Sequence, residues 1–115
     1  MNIQSINEMQ SVFGAKVNLA KSKEALYKYR IDDFFAGNKH LIEKYADAHG
    51  ISDVNLCLRE CASKIKTNGH GDSLLLINAG PKTTYMRYDN TVTDTSTRKA
   101  ILENIQENYN IINKK

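Results

Sequence analysis

Gly69 to Asn90 reads GHGDSLLLINAGPKTTYMRYDN, and the reading of this stretch decides the fold. Gly69, Gly71 and Asp72 make a turn that opens onto Leu74-Leu75-Leu76-Ile77, the most apolar run in the chain. Asn78 to Lys82 (NAGPK) reverses direction, and Thr83 to Tyr88 returns as TTYMRY. Two β-prone runs joined by a short Gly/Pro loop predict a β-hairpin. The first run does not alternate, which predicts a strand covered on both faces. The return run mixes Tyr85 and Tyr88 with Thr84 and Arg87, which predicts one wet side. Gly69 and Gly71 precede a strand instead of opening a helix, so they form a turn and not a phosphate cradle.

Upstream, Ile6, Met9, Phe13, Val17 and Ala20 recur at spacings of three and four. That spacing predicts an amphipathic helix over 5–20, with Ser5 as its N-cap and a bend at Gly14. Tyr27, Tyr29 and Ile31 alternate with Lys28 and Arg30, which predicts a short strand over 26–31. Asp32 and Asp33 then suit a helix start. The helix that follows buries Phe34, Leu41, Ile42, Tyr45 and Ala46, has a break point at Gly37, and stops at Gly50. Ser52 and Asp53 begin a further predicted helix, whose stripe is Val54, Cys57, Leu58, Cys61 and Ile65. A last helix carries Ile101, Ile105, Tyr109 and Ile112 on one side. The expected fold is therefore α+β: a small antiparallel hairpin or three-stranded sheet packed by about four helices, in a single domain spanning 1–115.

With 115 residues, 41% of them hydrophobic and 25% charged, the chain has the composition of an ordinary soluble domain. No apolar run approaches the roughly 18 residues of a membrane helix. The opening MNIQSINEMQ lacks a basic segment followed by an apolar one, so a cytosolic location is expected, with injection by a route that needs no signal as the alternative. Net charge is +3 and the pI about 8.8, a milder bias than most nucleic-acid binders show. The abundance of Asn, Ile and Lys matches AT-rich coding of bacterial or mobile-element origin. Cys57 and Cys61, four apart on a helix, would point the same way at about 6 Å, which favours reduced thiols over a disulfide.

Three functional patterns compete with a simple binding role. HLIEKYADAHGISDVNLCLREC resembles a helix-turn-helix, with Ala46, Gly50 and Leu56 at its small, glycine and apolar positions. With a strand at 26–31, the element order is similar to the winged-helix arrangement of DNA-binding regulators. That resemblance implies phosphate contacts from Arg59, Lys64 and Lys66. Asp53 and Glu60 on the same helix oppose it. His70 before LLLI and Asp89 after MRY look like the His/Asp pair of papain-like cysteine proteases, with Cys57 as the thiol that the resemblance implies. Spacing opposes this reading. A helix from Cys57 to Lys66 advances about 14 Å, and the four steps back to His70 span at most about 14 Å. Cys57, Cys61 and His70, with His49 or Asp72, lack the paired spacing of a structural zinc site.

No catalytic residue, metal or cofactor is therefore expected. The sequence points to a non-catalytic regulatory or inhibitory protein that acts on a protein partner. The DNA-binding regulator is the alternative, and the cysteine hydrolase stands behind both. Tyr85, Arg87 and Tyr88 on the return strand are the expected anchors, since aromatic and arginine side chains dominate interface energetics.

Overall fold

The computed structural model describes residues 14–60 and 73–114. Within them the elements run β1 (Lys16–Lys21), α1 (Lys28–Ala48), β2 (Asp53–Glu60), β3 (Ser73–Asn78), β4 (Thr83–Tyr88) and α2 (Asp94–Ile112). The strands form one mixed sheet in the order β1-β2-β3-β4. β1 and β2 are parallel, and β2, β3 and β4 form an antiparallel meander. A parallel pair needs a crossover connection, and α1 is that crossover.

The hairpin, α1 and α2 lie where the sequence pattern places them, although Leu41, expected in the core, is exposed on α1, and the α+β class holds. Three expectations are corrected. Residues 26–31 are not a strand: Tyr27 caps α1 and Lys28 is already helical. The segment 16–21 is β1 and not helix, while Ile6, Met9 and Phe13 lie outside the described residues. The helix expected from Ser52 is strand β2, with Cys61 and Ile65 outside the described residues. The described residues therefore hold two helices and four strands, against the expected four helices and two or three strands.

The reason lies in the periodicity. Val54, Leu56 and Leu58 fall on every second residue, and all three are buried. A strand puts i, i+2 and i+4 on one face, whereas the helical stripe would have left Leu56 outside. Val17 and Leu19 repeat the pattern in β1 and pair with Val54 and Leu56.

The core lies between the sheet and the two helices. Ile31, Phe34, Ile42 and Ala46 of α1 and Ile101 and Ile105 of α2 pack over Val54, Leu56, Leu58, Leu75 and Ile77. Helix α1 ends in a Schellman turn. Gly50 takes a left-handed φ of 68°, its N–H donates to the Asp47 carbonyl, and the Ile51 N–H reaches back to the Ala46 carbonyl. This is the stop predicted from Gly50. Gly37 does not break α1, which runs unbroken through it. Helix α2 opens with a reciprocal capping box between Thr93 and Ser96, which satisfies amides that a helix start leaves unpaired. No helix among the described residues is long and apolar enough to cross a membrane.

Candidate functional site

Both helices cover the same face of the sheet, and the other face is open among the described residues. Strand register arranges its side chains in rows. One row is polar: Asn18, Asn55, Asn78 and Thr83. The next is mostly apolar: Ala20, Cys57, Leu76 and Tyr85. A third runs Arg59, Leu74, Arg87. Two leucines and a tyrosine thus project from the side that carries no helix among the described residues, bracketed by two arginines.

The polar row is tied to itself. Asn18 Nδ2 donates to Asn55 Oδ1 at 3.0 Å. Asn78 Nδ2 donates to Thr83 Oγ1 at 2.8 Å and to the Gly80 carbonyl at 2.7 Å. These bonds hold one border of the face in place. In the apolar row Cys57 and Leu76 are half-buried, Tyr85 is 70% exposed, and Leu74 beside them is half-buried. Among the described residues, helices cover one face of β3 and none lies on the other. Leu75 and Ile77 point into the core, and Leu74 and Leu76 point away from it.

Of the three expected anchors, Tyr85 and Arg87 stand together on this open face. Tyr88 does not. It lies on the opposite side of β4 with 1% of its surface exposed, because a six-residue strand sends positions 85 and 88 to opposite faces. The Arg30 guanidinium sits 5.6 Å from the Tyr88 ring centroid and donates to the Asp89 carbonyl. Burial pushes the Tyr88 hydroxyl above its usual range, Arg30 lowers it in part, and Asp94 adds to the rise. Tyr88 thus anchors the core, not a partner.

The remaining candidates separate. Arg59 is exposed on the open face, and Lys64 and Lys66 lie outside the described residues. Since β2 is a strand, the expected recognition helix is replaced and the helix-turn-helix geometry is lost. Cys57 sits within a strand, away from any helix start, and His70 lies outside the described residues. Asp89 spends its carboxylate on Thr91, whose hydroxyl and amide both donate to it and hold it below the usual carboxylate range. His49 uses both ring nitrogens between α1 and α2, facing the Tyr45 carbonyl and Gln106 Oε1. Among the described residues no three His, Cys, Asp or Glu side chains gather as a metal site. Tyr27 caps α1, and Tyr29 is exposed on α1, away from the open face.

The outward leucines and the polar row were missed at the level of sequence. Their signal was present: Asn18, Asn55 and Asn78 become one row only when β1 and β2 are read as strands. No protein-family model, curated protein or solved structure matches the chain.

Proposed function

We propose that this is a non-catalytic binding protein that regulates or inhibits a protein partner in the cytosol of the cell that makes it, and that the open sheet face is its binding surface. One observation carries the reading: Leu74 and Leu76 occupy outward positions of a central strand. A sheet with helices on one side ordinarily alternates apolar inward with polar outward. Two half-buried leucines on the outward side, beside an exposed tyrosine, form the kind of apolar patch that marks interaction sites. Arg59 and Arg87 flank it, and Tyr and Arg are the side chains most often found as binding hot spots. The hydrogen-bonded asparagine row supports the same reading, because a border ordered in advance lowers the entropy lost on association.

The test is an affinity capture from the native cytosol followed by mass spectrometry, with three baits. Wild-type protein and a Lys44→Ala control on the exposed side of α1 should retain one stoichiometric protein. Leu76→Thr, which keeps a strand-forming residue and removes the outward apolar group, should lose it. Equal capture by all three baits would refute the assignment of the face, and nucleic acid in the eluate would favour the DNA-binding alternative.

A further inference from the structure

A groove of about 420 Å³ runs between α1 and α2, within the range of about 300–1,000 Å³ usual for small-molecule sites. On α2 it is lined by Thr95, Arg98, Lys99, Leu102, Glu103 and Gln106, none of them among the residues that α2 buries. α1 supplies Tyr45. Tyr45 and Leu102 are half-buried and pack against the edge of the core, so they give the groove an apolar floor. That floor is fixed in advance: the Tyr45 ring stacks on His49 at 4.3 Å, and His49 Nε2 faces Gln106 Oε1 at 3.1 Å.

The end nearer the start of α2 is built around a cation. Asn38 of α1 is buried. Its Nδ2 donates to the Phe34 carbonyl at 2.9 Å, and its Oδ1 accepts from Arg98 Nη1 at 2.7 Å. One buried amide thus spends donor and acceptor on aiming a half-buried guanidinium. This bond uses one of the five N–H donors of Arg98, and among the described residues no other group takes the rest. Lys99 beside it and Thr95 one turn earlier are exposed, and their side chains form no hydrogen bond or ion pair among the described residues.

We propose that the groove binds a small amphipathic carboxylate, its head on Arg98, Lys99 and Thr95 and its apolar body along Tyr45 and Leu102. The guanidinium fork matches a carboxylate. Arg98 and Lys99 against Glu103 leave one net positive charge, which fits a monoanion. Glu103 and Gln106 lie toward the far end, so only one end receives the head. The site is on the helices and not on the open sheet face, so either proposal can fail alone.

An NMR titration of the isotope-labelled full chain tests it. Octanoate should shift, saturably, the amides around Tyr45 and from Thr95 to Gln106. Octylamine lacks the negative charge and acetate lacks the tail, and each should bind at least about tenfold more weakly. Octyl phosphate, which carries more than one negative charge, should bind no more tightly than octanoate. Arg98→Gln should weaken octanoate about tenfold, as expected for loss of a hydrogen bond to a charged group. Arg98→Lys, which keeps the charge and loses the fork, should fall between. Lys99→Gln, at an exposed position that packing does not use, should weaken it about threefold and reads the same end should Arg98→Gln disturb the helix pair. No saturable shift at millimolar octanoate, or equal binding of octylamine, would overturn the proposal. Acetate binding as tightly as octanoate would reduce the groove to a simple anion contact. Tighter octyl phosphate would overturn the carboxylate class, and shifts centred on Leu74, Leu76 and Tyr85 would move the site to the sheet.

Discussion

The side-chain amide of Asn108 closes two hydrogen bonds with the main chain of Lys82. Oδ1 accepts from the Lys82 N–H at 2.7 Å, and Nδ2 donates to the Lys82 carbonyl at 3.0 Å. Asn104, one turn earlier on α2, donates to the same carbonyl and to Thr84 Oγ1. Both asparagines are fully buried, so α2 holds the hairpin turn by the pairing a neighbouring strand would otherwise supply. Space is tight there: a Cβ on Gly80 would come within 3.0 Å of Asn108 Oδ1.

Asn108→Ala should therefore cost about 1–3 kcal/mol, because it leaves the Lys82 N–H without its acceptor, while the Lys82 carbonyl keeps the Asn104 amide. The shift of the urea midpoint at unchanged slope measures it. A loss under about 1 kcal/mol would mean that water replaces the amide without penalty.

The two sides of β3 should respond differently to truncation. Leu75 is fully buried under the helices, and Leu75→Ala should cost about 2–5 kcal/mol. Leu76→Ala, on the open face, should cost well under half as much, because half-buried apolar area gives a smaller transfer term. Similar losses at both positions would show that the outer face is covered.

Gly37 sits inside α1, exposed, with nothing within 4 Å of where a Cβ would stand. Gly37→Ala should stabilise the protein by about 0.5–1 kcal/mol through helix propensity alone. Thermal unfolding reads this as a rise in midpoint, and a fall would show that a contact needs the bare backbone.

Tyr88 predicts an alkaline limit to stability. Its hydroxyl is raised chiefly by burial, so the folded state holds this proton to a higher pH than the unfolded chain does. Stability from Tyr88 is complete below the ordinary tyrosine value near 10 and is lost as pH rises through its folded value. Absorbance titration should show a step above the ordinary tyrosine value, and Tyr88→Phe should remove that step. A step that is lost in Tyr88→Phe but lies at the ordinary tyrosine value would contradict the burial of Tyr88.

Tyr85→Ala should separate binding from folding. Its ring is mostly in solvent, so the denaturation midpoint should move by no more than about 0.5 kcal/mol. Loss of a hot-spot aromatic should weaken partner capture by more than about tenfold. Unchanged capture would place the partner contact elsewhere.

Much of the fold was legible wherever local chemistry suffices. The Gly/Pro turn announced the hairpin, Gly50 the end of α1, and the Ile101–Ile105 spacing the buried stripe of α2. Tyr85 and Arg87 were legible as a pair because residues two apart on a strand share a face. Tyr88 was misplaced for the same reason, since an odd spacing reverses the side.

What sequence alone determined, then, is the set of elements whose signal lies within one element or one turn. Tertiary structure decided β1 and β2. Over five or six residues, apolar spacings of two, three and four overlap, so DVNLCLRE satisfies a helical stripe nearly as well as a strand face. A helix satisfies its own backbone, but a strand must find hydrogen-bond partners elsewhere. For β2 those partners are β1, 37 positions upstream at Asn18–Asn55, and β3 across the hairpin. Only that long-range pairing turns Val54, Leu56 and Leu58 inward, and the same pairing assembles the outward row of Ala20, Cys57, Leu76 and Tyr85.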